Sequence, residues 1–362
     1  AAQAVLCVLA AVFVATVFYL LEGFQSLGTG SGQLPMRVLP FGLLAKAFTL
    51  PSSIFLAAQA VLCVLAAVFV ATVFLATRRL GSSVAWAFWA SSIAVLWGVS
   101  WSEFVKLRPD TFATAFSLGG VLCLLPSAPE RKDLTRAQVV ASFALLTLAA
   151  SIGPRHWLYP VSGLVCLALF FRNQLARYAK WAMMGILAGL LPTALYITLF
   201  DGWVNVIQVS FLQSPVSRST NFSLTQLFPF TLVFLALLSQ LVCKPSLGTR
   251  ILVTMWLTAA LNVLLLSRYL PAAYPLLTWV ALSSVLIARM LDELSCCRNY
   301  PMLSRLLVLS FALLVIPTLK AIPSPEKLKQ QWTERDIAFA LVDWLHHLSK
   351  QGCIVAVCPC LP

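Results

Sequence analysis

Uninterrupted apolar runs of roughly 15 to 23 residues recur along the whole chain, and no other feature constrains its fold as strongly. A helix needs about 20 apolar residues to cross the hydrocarbon of a bilayer, where no water is present to satisfy an open N–H or C=O. The candidate runs are Ala1 to Leu21, Ile54 to Ala76, Val84 to Val99, Thr111 to Leu125, Ala137 to Gly153, Trp157 to Phe171, Trp181 to Phe200, Leu227 to Cys243, Ile251 to Leu266, Leu270 to Ala288 and Leu306 to Leu319. A soluble domain could not bury so much apolar surface: 60% of the 362 residues are hydrophobic, 10% are charged, and the mean hydropathy is +0.91. The expected fold class is therefore all-α, a polytopic transmembrane bundle of about 11 spans over residues 1–319. Val38 to Leu50, shorter and carrying Lys46, reads as an interfacial helix within a first outer loop at 22–53.

The net charge of +13 would suggest nucleic acid in a soluble protein, but the bases sit in short loops between the runs, and no nucleic-acid partner is expected. Alternate loops divide them. One set holds Arg78, Arg79, Arg131, Lys132, Arg136, Arg172, Arg177, Lys180, Lys244, Arg250, Arg289, Arg298 and Arg305; the other, omitting the tail, holds Arg37, Lys46, Lys106, Arg108, Arg155, Arg218 and Arg268. The positive-inside rule makes the richer set cytoplasmic. Glu22, Glu103, Asp110 and Asp201 then fall on the outer side, with Arg108, Arg155, His156 and Arg268 at the outer mouths of spans. The sequon Asn221-Phe222-Ser223 lands there too, although such triplets often arise by chance.

The stretch "AAQAVLCVLAAVFVATVF" occurs twice without a change, at Ala1 to Phe18 and at Ala57 to Phe74. Structural repeats normally drift, so identity points to a recent duplication or a displaced gene segment ahead of Tyr19. The tail, 320–362, offers one amphipathic stretch, "ERDIAFALVDWLHHL", and reads as the start of a small outer domain.

No phosphate-cradling glycine loop, nucleophile elbow or His/Glu metal helix is present, and neither a metal nor a cofactor is expected. Five of the ten cysteines lie within apolar runs as small hydrophobes, and the spacing of Cys353, Cys358 and Cys360 matches no strong zinc pattern. What remains is a set of charged and aromatic residues on one membrane face. Arg or Lys there would suit an anionic lipid headgroup, and a carboxylate could serve as general base toward a hydroxyl.

Four segments resemble the GT-C glycosyltransferases that use polyprenyl- or dolichyl-phosphate sugars, among them mannosyltransferases. "LLEGFQSLG" (Leu20 to Gly28) is similar to their first outer loop, and "SWSEFVKLRPDTFATAF" to the segment leading into the fourth span. "SIGPRHWLYP" is similar to an Arg-containing loop between later spans, and "SRYLPAAYPLLTWVAL" (Ser267 to Leu282) to a recurring span. The resemblance covers roughly Tyr19 to Ile316. It implies an integral membrane enzyme of the endoplasmic reticulum or bacterial inner membrane, with its active face away from the cytosol. It would transfer mannose or another hexose, with inversion, from a polyprenyl-phosphate carrier to a hydroxyl of a glycan, lipid or protein acceptor. Glu22 and Asp110 take the catalytic positions, while Arg108, Arg155, Arg268, Tyr269, Lys106 and Glu103 take those that hold the lipid phosphate and substrate. The chain departs from the pattern at Leu21, where the family has aspartate. Leucine can neither accept a proton nor orient a hydroxyl, which leaves Glu103 or Asp110 to replace it, or an inactive chain.

Plainer accounts exist for each residue. Glu22 and Asp201 could simply end spans, the group from Glu103 to Asp110 could be a self-paired loop worth little, and Arg268 could snorkel to headgroups. Arg155 and His156 could form an interfacial turn, His156 as a hydrogen-bonded structural residue. Trp101, Trp157 and Tyr269 fit an aromatic belt. Two rival classes follow, a transporter and a catalytically silent membrane protein. Ion-coupled transporters bury ionisable groups near the midplane, whereas these runs hold little beyond Asn262 and scattered Ser and Thr.

Overall fold

The computed structural model describes residues 51–96, 109–131, 133–152, 154–196, 246–267 and 275–296, with single positions at 100, 198, 326 and 333. The first outer loop, the apolar run at 227–243, the last run and the tail domain lie outside the described residues. Those described form α-helices and short 3-10 turns, with no strand among them. In chain order they are α1 (Pro51–Arg79), α2 (Val84–Leu96), α3 (Pro109–Leu124), α4 (Arg136–Ile152), α5 (Leu158–Phe170), α6 (Leu175–Tyr196), α7 (Leu247–Ser267) and α8 (Pro275–Cys296), with 3-10 turns at Pro154–Trp157 and Arg172–Gln174. Each expected run in this region contains a helix. Among the described residues, Ala60–Arg79 is long and apolar enough to cross a bilayer unaided, and several others are shorter apolar helices. A 13-residue helix such as α2 rises only about 20 Å, against roughly 30 Å of hydrocarbon.

Two boundaries move, for physical reasons. The run ending at Ala288 continues as helix to Cys296, because Arg289 pairs one turn ahead with Glu293 (2.7 Å) and Asp292 (3.8 Å), so Arg289 is helical rather than in a loop. The run starting at Trp181 begins as helix at Leu175, where Arg177 lies over the Trp181 ring at 4.5 Å. Between α5 and α6 the axis turns by 103°. That corner is held by Tyr178, whose ring meets Phe171 and Trp181 edge-on and whose hydroxyl accepts the Leu134 N–H at 3.2 Å.

Bundle packing relies on small residues. In α6, Gly185 and Gly189 are one turn apart, and a Cβ on either would stand 2.5 Å from a carbonyl oxygen of α4, that of Val140 or Ala144. Backbone contact of this kind is how helices gain dispersion energy where lipid supplies no hydrophobic drive. α3 packs on the same helix through Gly120, whose carbonyl accepts the Ser142 hydroxyl at 2.7 Å. α8 lies in the interior: every residue from Leu277 to Ala288 is buried, as expected of a helix apolar on all sides.

One end of the bundle gathers the basic loops. Arg79 reaches from the last turn of α1 to the carbonyls of Leu122 and Leu125 where α3 ends, carbonyls that also accept the Leu125 N–H and the Gln138 amide respectively. Asp292 accepts the Ser83 N–H at 3.2 Å, and Gln174 donates to Asp133 at 3.0 Å. Gly81 turns there with φ +90°, a conformation natural to glycine, and a Cβ would meet Pro129 at 3.0 Å. Gly248, at the start of α7, faces Leu80 and Pro126.

Candidate functional site

Among the described residues, α3, α4, α5, α7 and α8 each have one terminus at the basic end, so their other termini fall at the opposite end. There α3 begins at Pro109, the Pro154–Trp157 turn links α4 to α5, α7 stops at Ser267 and α8 starts at Pro275. Position 110 is therefore in the first turn of α3, and position 155 is in the 3-10 turn. Arg268 follows Ser267 in the chain. Glu22, Glu103, Lys106, Arg108, Arg268 and Tyr269 lie outside the described residues. The backbone thus brings Asp110, Arg155 and the approach to Arg268 to one end, although chain separations between them exceed 40 residues.

Side-chain geometry is defined just beneath this rim. His156 is buried, with Nδ1 hydrogen-bonded to the Ser117 hydroxyl at 2.8 Å, and its ring lies 5.7 Å from that of Tyr159, tilted by 32°. The plainer account of His156, a hydrogen-bonded structural residue, matches this environment. Helical register sets positions 110, 114 and 117 on one face of α3, the face that meets the 3-10 turn at Ser117. Tyr159, in the first turn of α5, is wholly buried, and its hydroxyl makes no hydrogen bond among the described residues. Further down, the Thr258 and Ser162 hydroxyls bond at 2.6 Å, and the Trp256 indole N–H donates to Ser283 at 2.9 Å. Polar groups inside an apolar bundle are costly unless paired, so such pairs fix helix rotation.

Ser117 and Tyr159 do not stand out in the sequence, and Asn262 does so only as a polar exception within an apolar run. The i, i+4, i+7 spacing from Asp110 through Thr114 to Ser117 was the available signal for the first. For Tyr159 there was none, because its burial depends on how the helices pack around it. Trp157, assigned to an aromatic belt, is exposed beside its buried neighbour His156. No cluster of three or more His, Cys, Asp or Glu side chains able to hold a metal occurs among the described residues.

This arrangement defines an all-helical bundle with basic loops gathered at one end and the candidate site elements at the other. The same fold occurs in the crystal structure of ArnT from Cupriavidus metallidurans bound to undecaprenyl phosphate, with a TM-score of 0.54 at 14% sequence identity. The match spans 84% of this chain and 64% of the ArnT chain. No family model and no curated protein sequence matches the chain.

Proposed function

We propose that the chain is an integral membrane glycosyltransferase of the GT-C type, taking its sugar from a polyprenyl-phosphate carrier. The observation that carries this reading is the fold shared with ArnT, whose crystal structure is bound to undecaprenyl phosphate, together with the placing of positions 110, 155 and 267 at one end of the bundle. In this reading the basic end faces the cytosol and the opposite rim faces the lumen or periplasm. The bilayer brings a lipid-anchored donor to that rim, so no soluble domain is needed to capture it.

Arg108, Arg155 and Arg268 hold the phosphate, assisted by Lys106 and Tyr269. Their charge stabilises the dianion that forms as the glycosidic bond to phosphate breaks. Glu22 or Asp110 accepts the proton of the attacking acceptor hydroxyl, and Glu103 orients the substrate. Attack opposite the departing phosphate inverts the anomeric carbon. The sugar is a hexose, with mannose the first to test, and the acceptor is a glycan, lipid or protein hydroxyl. Arg108→Ala is expected to abolish transfer from a polyprenyl-phosphate sugar while membrane insertion persists; unchanged transfer rejects the role. A transporter would instead show solute flux in proteoliposomes free of lipid-linked sugar.

A further inference from the structure

We infer that Ser117, His156 and Tyr159 form a positioning seam that sets the spacing of the two rim elements carrying positions 110 and 155. The inference rests on the glycosyltransferase reading above and adds residues to which that reading gave no role. Each link belongs to a different element. Ser117 is on α3, two turns below position 110. His156 directly follows Arg155 in the 3-10 turn and is tied to Ser117 at 2.8 Å. Tyr159 lies in the first turn of α5, with its ring beside that of His156.

All three side chains are buried, so none is placed to touch a substrate at the rim, and together they join α3, the turn and α5. A 3-10 turn has few backbone bonds of its own, so what fixes position 155 is its anchor. Here the anchor is a polar bond in an apolar interior, where rotating either helix would leave a donor or acceptor unmatched. Arg155 can act on a headgroup phosphate only while its turn stays in register with α3, and the Ser117–His156 bond supplies that register. Supporting side chains of this kind govern how well a site is preorganised.

The test titrates the full-length protein in lipid nanodiscs with undecaprenyl phosphate and, in parallel, with undecaprenol, which has the same tail and no phosphate. The ratio of the two dissociation constants isolates headgroup recognition, a quantity that general loosening of the fold does not selectively change. Ser117→Ala and His156→Ala are each expected to lower that ratio roughly three- to tenfold, the value of one well-placed bond. Because His156→Ala also removes the ring contact with Tyr159, the double variant should lose no more than His156→Ala alone. His156→Asn, whose amide can replace the Nδ1 contact, should recover most of the ratio. If His156→Ala fails to fold, Ser117→Ala, which removes a single oxygen, carries the test. A wild-type ratio in Ser117→Ala overturns the seam while leaving the transferase reading intact. A ratio near one in the wild type overturns phosphate recognition itself, and the seam with it.

Discussion

Gly189 faces the Ala144 carbonyl so closely that even one added carbon cannot fit without displacing backbone. Gly189→Leu is therefore expected to destabilise the bundle by about 1–3 kcal/mol or more, read as a shift in the unfolding midpoint in mixed micelles. Arg79 acts through bonds rather than space. Its guanidinium serves two carbonyls at the end of α3, so Arg79→Leu should cost roughly 1.5–3 kcal/mol in the same assay. Residues differ in how readable they are. The excess of Arg at one set of loops was plain from spacing and charge. Gly185 and Gly189 are four apart in an apolar run, a pattern open to inspection, but which helix they would meet was not, because glycine carries no side chain to name a partner. Ser117 was equally silent until His156 was placed beside it.

At the level of elements, the apolar runs located the helices well, and their ends poorly. Hydropathy marks where a chain is apolar, whereas a helix ends where its backbone runs out of partners, and the Arg289 pairs carry α8 beyond the apolar run. The α5–α6 corner shows the same limit: two runs separated by a short basic stretch did not foretell a turn of 103°. Tyr178→Phe keeps the ring stack and removes the contact with the Leu134 N–H, so it should cost about 1 kcal/mol and raise amide exchange at Leu134. A loss of α6 helicity in that variant would show that the hydroxyl does more than pin the corner.

For the molecule as a whole, sidedness is the property to measure. Single cysteines placed at positions 110 and 155 in a cysteine-free background should react with a membrane-impermeant thiol reagent added from the face away from the cytosol. Cysteines at positions 131 and 292 should react only from the cytosolic side. Labelling of positions 110 and 131 from the same side would refute both the orientation and the site. The fold shared with ArnT rests on backbone shape, and the resemblance of the four segments rests on residues. Under the proposed function Glu22 acts beside Leu21, so Leu21→Asp is expected to raise transfer from a polyprenyl-phosphate sugar, and unchanged transfer would count against a base at this position.

By itself the amino-acid order determined that this chain is a bundle of apolar helices with basic loops on alternate connections, because hydropathy and charge act locally and add along the chain. Which loops meet, which glycine touches which carbonyl, and how Ser117, His156 and Tyr159 align beneath one rim were decided only by the tertiary structure. Those contacts depend on helix rotation and crossing, and rotation is fixed jointly by neighbours that lie far apart in sequence.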